Sequence, residues 1–436
     1  MRKRVLIETW GCQMNVHHSE GLAGILAEHG YRTVDSVDDA DIVLLNTCTV
    51  RQKAEDKVLG RIGALAGIRA ERPLLVGLGG CMPQVRGVEL LERLPSVDFL
   101  FGTSGFAELP RLIERARTGQ RPSHLPPPQE MDSLPYCRAP GVRAMVTITE
   151  GCSSRCSYCV VPQARGPLRS RPPGAIVDEV RAALDEGFPE ILLLGQNVDS
   201  YGTDTPAFGS FAALLRAVAA EGPLRVRFTS SHPRDITQEL LDTLAEGAPL
   251  CPHIHLACQS GSDRVLRAMN RGYTRKHFLD IVRRARSAIP ALNVTTDLIV
   301  GFPGEREEDV RATLDLVTEA RFGAAFVAMY SPRPGTRSAQ LPDDVPVEEK
   351  HERLHRVLDL SRALAEEMNR ERIGDTVETL VEGRGRSGGS FGRSADHRTV
   401  IVNETLDCGE MVAVSVESSS AAALRGRVTA PTTVEG

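Results

Sequence analysis

The chain has 436 residues, 41% hydrophobic and 25% charged, which places it among globular proteins and excludes a disordered, collagen-like or fibrous one. At about 150 residues per domain, roughly three domains are expected. The formal net charge of −5, from 52 Lys and Arg against 57 Asp and Glu, excludes a globally basic nucleic-acid binder, so any RNA contact must come from local patches.

No apolar run reaches the ~18 residues of a membrane span, and the opening MRKRVLIETWGCQMN puts polar and Cys residues where a signal peptide needs an apolar core. A cytoplasmic protein with no membrane contact is expected. Ten cysteines are too sparse for a disulfide scaffold in a chain this long, so clustered ones read as metal ligands or reactive groups.

In residues 1–118 the short apolar runs Val5–Ile7, Ile42–Leu45 and Leu74–Leu78 alternate with helix-like stretches Ser19–His29, Ala54–Ile68 and Val88–Leu94. This alternation predicts an α/β domain on a parallel sheet. Residues 119–140, with GQRPSHLPPPQEMDSLP, are rich in Pro and read as a linker.

Residues 141–372 carry six strand signals: Met145–Ile148, Ile191–Leu194, Arg225–Thr229, His253–Leu256, Val294–Val300 and Ala325–Tyr330. Helical segments Ala175–Glu186, Phe211–Glu221, Ile236–Glu246, Ser262–Met269, Arg275–Ala288 and Glu307–Ala320 follow them, predicting a partial (β/α)6 barrel whose active face lies at the strand ends. A charged helix, about Val347–Arg372, leads to residues 373–436, where Thr376–Glu382, His397–Val402 and Met411–Val416 predict a small β-barrel module with a Gly/Arg/Ser loop, Gly383–Arg393.

Six cysteines form two sets. Cys152, Cys156 and Cys159 make C-x3-C-x2-C immediately after the first barrel strand, a spacing that lets one loop supply three thiolates to an iron–sulfur cubane and leave one iron open. A zinc loop is the alternative, although zinc usually takes a fourth nearby ligand. Cys12, Cys48 and Cys81 each stand just past an N-terminal strand, in VLIETWGC, IVLLNTC and LLVGLGGC, and parallel strands bring their carboxyl ends to one sheet edge. Three thiols then converge, with buried apolar cysteines as the alternative. Cys137, Cys251, Cys258 and Cys408 read as free thiols, Cys258 being the one near a barrel strand end.

The runs ETWGCQMN, NTCTVR, GGCMPQ, GCSSRCSYCVVP, LLGQNVDSYG, FTSSHP, QSGSDRVLRAMNRGYTR, DLIVGFPGE and YSPRPGT make the whole chain resemble the radical-SAM methylthiotransferases. GQNVDSYG and FTSSHP resemble the branch acting on isopentenyladenosine. The chain departs from that pattern in QARGPLRSRP, where Gln163, Pro167 and Leu168 replace an aromatic and an acidic residue, and at Cys258. Arg165, Arg169 and Arg171 remain there as candidates for phosphate or substrate.

The resemblance implies an N-terminal methylthiotransferase domain, a radical-SAM barrel and a C-terminal TRAM module that binds RNA. It implies a [4Fe-4S] cluster on Cys152, Cys156 and Cys159 that cleaves S-adenosylmethionine, and an auxiliary [4Fe-4S] cluster on Cys12, Cys48 and Cys81 tied to sulfur donation. It further implies addition of a methylthio group to carbon 2 of N(6)-dimethylallyladenosine beside the tRNA anticodon, at position 37. An electron donor of flavodoxin or ferredoxin type, a sulfur source and a monomeric enzyme are expected.

Tyr158, Gln196, Asn197, Ser230, His232, Gln259, Gly301 and Gly304 lie on the cluster loop or just after strands and are the candidates for holding S-adenosylmethionine. Gly301 and Gly304 also suit a plain turn around Pro303, and His232 a loop cap. Arg384, Arg386, Arg393 and Arg398, with Asp396 the only acid among them, make a basic stretch suited to the tRNA anticodon loop or simply to solvent. Other readings are a methylthiotransferase acting on threonylcarbamoyl-adenosine or on a ribosomal protein, and a non-enzymatic RNA-binding protein with structural Cys.

Overall fold

The structure, a computed structural model, describes residues 3–49, 52–128, 131, 134–385 and 388–431. The first domain is a six-stranded parallel sheet of β1 (Arg4–Thr9), β2 (Arg32–Thr33), β3 (Ile42–Thr47), β4 (Leu75–Gly80), β5 (Phe99–Phe101) and β6 (Ser123–His124), in the order β2-β1-β3-β4-β5-β6. Its strands are apolar on both faces because helices cover both. Along β3, Ile42 and Leu44 meet α1 (Gln13–Glu28), while Val43 and Leu45 meet α2 (Gln52–Glu71). The short helices α3 (Cys81–Arg86) and α4 (Glu89–Arg93) and then α5 (Leu109–Arg117) complete the layer.

The stretch expected as a linker does not behave as one. It supplies β6, and further on Leu134 and Pro135 lie on α1, where a Cβ at Gly24 would come within 1.6 Å of the Pro135 carbonyl oxygen. A glycine in mid-helix admits that backbone, and the Cys137 amide donates to the Glu20 carbonyl at 3.1 Å. The segment is anchored by contacts that its composition does not reveal.

The second domain begins with β7 (Arg143–Thr147) and a short antiparallel pair, β8 (Thr149–Glu150) and β9 (Arg169–Ser170), which encloses the cysteine loop and α6 (Val161–Arg165). Strands β10 (Glu190–Leu194), β11 (Arg225–Phe228), β12 (His253–His255), β13 (Asn293–Val300) and β14 (Ala324–Met329) then alternate with α7 (Pro173–Asp185), α8 (Phe211–Ala219), α9 (Gln238–Ala245), α10 (Asp263–Ala268), α11 (Arg275–Ala288) and α12 (Glu307–Ala320). Two three-stranded parallel sheets, β7-β10-β11 and β12-β13-β14, meet through isolated bridges Val226–Leu250 and Ser231–Leu256, giving the expected six-stranded partial barrel. Val146, Ile191, Leu193, Val294 and Leu298 face the helices. The alternate positions Met145, Leu192 and Leu194 pack instead with Met14 of α1.

After α13 (Val347–Arg370), strands β15 (Thr376–Arg384), β16 (Ser390–Ser394), β17 (Thr399–Val402), β18 (Met411–Ser419) and β19 (Leu424–Pro431) close a small barrel in the order β15-β16-β17-β19-β18 around a valine-rich core. The expected loop Gly383–Arg393 is therefore in part a strand. Its inward residues are Ser390, Gly392 and Ser394, so the alternation is present but carries no apolar signal.

This module docks on the amino ends of the central strands. Arg225 donates to the Arg393 carbonyl at 2.6 Å, Arg227 to the Ser394 and Ala395 carbonyls at 2.8 Å each, and Asn293 to the Asp396 carbonyl at 2.8 Å. Buried Glu190 pairs with Arg227 at 3.0 Å and with Arg143, which reaches Glu382 at 2.8 Å. Two arginines of the expected basic stretch are used internally: Arg393 pairs with Glu382 at 3.2 Å and Arg398 with Asp396 at 2.8 Å. Arg384 is exposed, and Arg386 lies outside the described residues.

Candidate functional site

The Cys152–Cys159 loop leaves the carboxyl end of the β7 and β8 strands and is held by its own backbone. The Cys152 amide donates to the Gly166 carbonyl at 3.1 Å, the Ser157 amide to the Met269 carbonyl at 2.9 Å and the Cys159 amide to the Cys156 carbonyl at 3.2 Å. Asn270 and Arg337 both donate to the Arg155 carbonyl, at 2.7 and 2.5 Å. Burial pushes the Cys159 thiol up to about 12, and Cys156 and Cys152 push it the same way, so the three thiols share one electrostatic neighbourhood. Arg271 lies beside them, its Nη1 3.3 Å from Cys156 Sγ. Tyr158 packs with Val265, Met269, Phe302 and Tyr330, its phenol within electrostatic reach of Arg271, Cys156 and Cys159.

In the first domain the register places the second trio. Thr47 pairs with Gly80 as the last residues of adjacent strands, and Cys48 and Cys81 each follow directly, Cys81 opening α3. Cys12 caps the amino end of α1, three residues past β1, which pairs with β3. A Cβ at Gly11, whose φ is +139°, would stand 2.5 Å from Cys48 Cβ, so only glycine lets the Cys12 turn close over Cys48. Burial raises the Cys81 thiol, and Arg165 opposes it.

Beside the second trio the first domain packs on the barrel, α3 against α6 and α1 against β7. Arg165, six residues after Cys159, is fully buried and donates to Asn15 Oδ1 at 2.8 Å, within electrostatic reach of Cys12 and Cys81. Gln196 Nε2 lies 2.9 Å from Met14 Sδ. His17 bonds Thr147 at 2.8 Å and Glu179 at 3.1 Å, and His18 bonds Glu150 at 2.7 Å, so α1 is pinned to the barrel mouth. Arg169 pairs with Glu150 at 3.1 Å and Arg171 with Glu179 at 2.6 Å. Of the three arginines expected to await phosphate or substrate, Arg169 and Arg171 thus answer buried carboxylates and Arg165 is held by Asn15. Burial pushes the Glu150 carboxyl up, but His18, Arg165 and Arg169 outweigh it and hold it at about 2.

A cavity of about 380 Å³ opens beside the loop, lined by Cys152, Ser153, Asn197, Asp204, Arg234 and Asp235. Asn197 donates to Asp235 at 2.7 Å, and its buried Oδ1 has no partner; Gln196 Oε1 and His232 Nε2 are likewise buried without partners. Burial, then Arg271, lowers His232 to about 3, so this imidazole is neutral; its Nδ1 accepts from the Arg234 amide at 3.2 Å, which leaves Nε2 as a donor. The His232 amide donates to Asp199 at 2.7 Å, and burial raises that carboxyl to about 7.

Ser230 and Gln259 hold positive φ of 70° and 74°, and Gln259 bonds both ways to β13. Gly301 and Gly304 form a turn held elsewhere. A Cβ at Gly301 would strike Lys350 of α13 at 2.4 Å, and the Gly304 amide donates to Asp344 at 2.7 Å. Cys258 is buried in the barrel core, its thiol pushed by burial to about 12. Sequence reasoning missed Arg271, Asp199, Asp235 and Arg234; Asp199 and Arg271 stand inside the quoted runs LLGQNVDSYG and QSGSDRVLRAMNRGYTR, which could have marked them, while Arg234 and Asp235 follow FTSSHP.

Among the described residues, no group of three or more His, Cys, Asp or Glu converges tightly enough for a single metal ion. All ten cysteines are free, and each trio offers three soft donors beside a buried guanidinium, a set that fits an anionic polynuclear iron–sulfur group with one ligand position left over.

Residues 4–102 match the model of the uncharacterized protein family UPF0004, residues 146–317 that of the radical SAM superfamily and residues 370–429 that of the TRAM domain. The chain is 42% identical over 434 residues to the tRNA-2-methylthio-N(6)-dimethylallyladenosine synthase of Carboxydothermus hydrogenoformans, covering 97% of this chain and 99% of that one. It is 46% identical over 389 residues to the protein of that name from Moorella thermoacetica, covering 88% of each. Among solved structures, the radical S-adenosylmethionine methyltransferase TsrM from Kitasatospora setae, with cobalamin and a [4Fe-4S] cluster bound, shares the fold at a TM-score of 0.59 and 18% identity, over 78% of this chain and 77% of that one.

Proposed function

The chain belongs to the family of the tRNA-2-methylthio-N(6)-dimethylallyladenosine synthases, and on that premise we propose that it is the radical-SAM transferase that adds a methylthio group to carbon 2 of N(6)-dimethylallyladenosine at tRNA position 37. The observation that carries this reading is that Arg165, six residues past the C-x3-C-x2-C loop, crosses the seam between the first two domains to within electrostatic reach of Cys12 and Cys81, a seam that Met14, His17 and His18 close. The names of the relatives favour the dimethylallyladenosine branch over threonylcarbamoyl-adenosine, a ribosomal-protein side chain or a non-enzymatic role.

Cys152, Cys156 and Cys159 would hold one [4Fe-4S] cluster, and Cys12, Cys48 and Cys81 the other. When bound, the clusters and S-adenosylmethionine supply the one-electron chemistry needed to break an unactivated ring C–H bond, which no side-chain acid or base can do. The chain's part is to position and exclude water. Asn197 and Arg234 line the cavity beside Cys152, where the unpartnered amide oxygen of Asn197 can receive the ammonium of S-adenosylmethionine, while Gln196 holds the neighbouring seam against Met14. Ser230, Gln259 and His232 follow the neighbouring barrel strands and would set the backbone behind this site, and Tyr158 would keep the loop seated. Gly301 and Gly304 act through the turn around Phe302, which packs near Tyr158.

The five-stranded module serves the tRNA, with exposed Arg384 on its outer side. A cytoplasmic monomer, an electron donor of flavodoxin or ferredoxin class and an external sulfur source complete the proposal. Ten free cysteines suit a reducing compartment, and no helix among the described residues is long and apolar enough to cross a membrane. Mass spectrometry of tRNA nucleosides from cells with and without the protein tests the reading. Loss of the 2-methylthio nucleoside, with the dimethylallyl precursor accumulating, is expected; an unchanged nucleoside profile refutes it.

A further inference from the structure

Arg165 is placed where an arginine needs a reason to be. Its side chain is 4% exposed and it carries full charge. One nitrogen, Nη2, donates to Asn15 Oδ1 at 2.8 Å; Asn15 is itself buried and donates to the Trp10 carbonyl at 3.2 Å. The other, Nη1, stops 4.0 Å from Glu150 Oε1 and has no hydrogen-bond partner. Glu150 is already engaged by His18 and Arg169. The guanidinium is therefore anchored on Asn15 through Nη2 while Nη1 has Glu150 only at 4.0 Å, and the sulfurs of Cys81 and Cys12 are, with that carboxylate, the groups its charge feels. A buried cation with a free donor is costly unless an anion completes it.

The chain around Arg165 keeps it there. Thr103 of the first domain donates to the Ala164 carbonyl at 2.6 Å, and α3, which begins at Cys81, packs on α6. Met14 and Asn15, in the first turn after Cys12, approach from the other side. The residue belongs by sequence to the Cys152–Cys159 segment and by position to the Cys12–Cys48–Cys81 centre.

We propose that Arg165 is the binding residue for the anionic sulfur ligand, a hydrosulfide or small thiolate, taken up at the Cys12–Cys48–Cys81 centre. Nη1 donates to that sulfur while Nη2 stays on Asn15, so the planar fork spans protein and ligand. The inference rests on the reading that this trio holds an iron–sulfur cluster, and it goes beyond it by naming the group that selects the sulfur ligand.

The test uses the full chain with Cys152, Cys156 and Cys159 all replaced by alanine, reconstituted anaerobically, so that the remaining iron reports one centre. Chains with Arg165, Arg165→Lys and Arg165→Met are titrated separately with sodium hydrosulfide and sodium methanethiolate, and the reduced cluster is followed by electron paramagnetic resonance. About four irons per chain are expected in all three. Ligand affinity should fall about ten- to a hundredfold in Arg165→Met, the loss of one charge-assisted hydrogen bond, with Arg165→Lys restoring most of it. A larger effect for one probe tells hydrosulfide from thiolate. Equal affinity in all three, or Lys as weak as Met, overturns the inference, whereas absence of iron from the Arg165 chain overturns the cluster reading beneath it. If Arg165→Met alone loses iron, 15N-arginine labelling of the Arg165 chain decides. A 15N coupling that appears on adding thiolate and is missing in Arg165→Lys supports the inference; no such coupling overturns it.

Discussion

Arg271 Nη1 lies 3.3 Å from Cys156 Sγ while its Nη2 donates to the Ala257 carbonyl at 2.7 Å and its Nε to Tyr273 at 3.1 Å. A buried cation with three fixed partners stabilises added negative charge at the sulfur. Replacing Arg271 with Met therefore lowers the reduction potential of the Cys152–Cys156–Cys159 cluster, because hydrogen bonds to sulfur favour the reduced state. A potentiometric titration monitored by electron paramagnetic resonance reads the shift, and an unchanged potential with full iron content contradicts it.

The two trios are separate ligand sets on separate domains. Cys48→Ala should cut the reconstituted iron from about eight to about four per chain while S-adenosylmethionine cleavage continues and methylthiolation stops. Cys156→Ala should give the same iron count and no cleavage. Iron analysis with 5′-deoxyadenosine assay separates these outcomes, and equal loss of both activities in Cys48→Ala would count against two centres.

Glu150 is held at about 2 by His18, Arg165 and Arg169 against the opposing effect of burial, below the ordinary value of about 4.3. A carboxyl depressed in the folded state contributes stability that is present above its unfolded pKa and lost as pH falls toward the folded one. The first two domains should therefore lose stability between about pH 5 and pH 2, and Glu150→Gln should flatten that part of the curve while lowering stability at pH 7 by about 3–5 kcal/mol, since it leaves buried cations unpaired. Urea unfolding across that range, followed by Trp10 fluorescence, measures both.

Phe326 is 54% exposed on β14, between Ala325 and Val327, which pack toward the helices. Strand alternation turns it to the barrel interior, where its ring lies 5.8 Å from that of His255, itself 3.1 Å from Asp297. An exposed ring on the inner wall is a stacking surface for an unstacked base. Phe326→Ala should weaken binding of an anticodon stem-loop carrying dimethylallyladenosine by about 1–3 kcal/mol, with Phe326→Tyr near the parent. Fluorescence anisotropy with the labelled stem-loop checks this, and equal affinities would remove Phe326 from the substrate site.

Much of the site was written locally. The C-x3-C-x2-C loop, the cysteines ending three strands, the six strand–helix units and the long helix are set by spacing and by periods of two or 3.6 residues, so sequence alone determines them. Even there, β16 was hidden because Ser390, Gly392 and Ser394 fill its inner face without apolar signal.

What the tertiary structure decided is where each charge ends. Arg165, Arg169 and Arg171 sit in a short basic run that looks free for phosphate, yet Glu150 and Glu179 take up Arg169 and Arg171, and Asn15, 150 residues away in the chain, anchors Arg165. Arg393 reads as RNA-facing, yet its carbonyl receives Arg225 across 168 residues and its side chain answers Glu382. Periodicity reports which face of an element is buried, because burial repeats along it. An ion pair between distant segments repeats nowhere, so only the folded chain, which must neutralise each charge it takes from water, selects the partner.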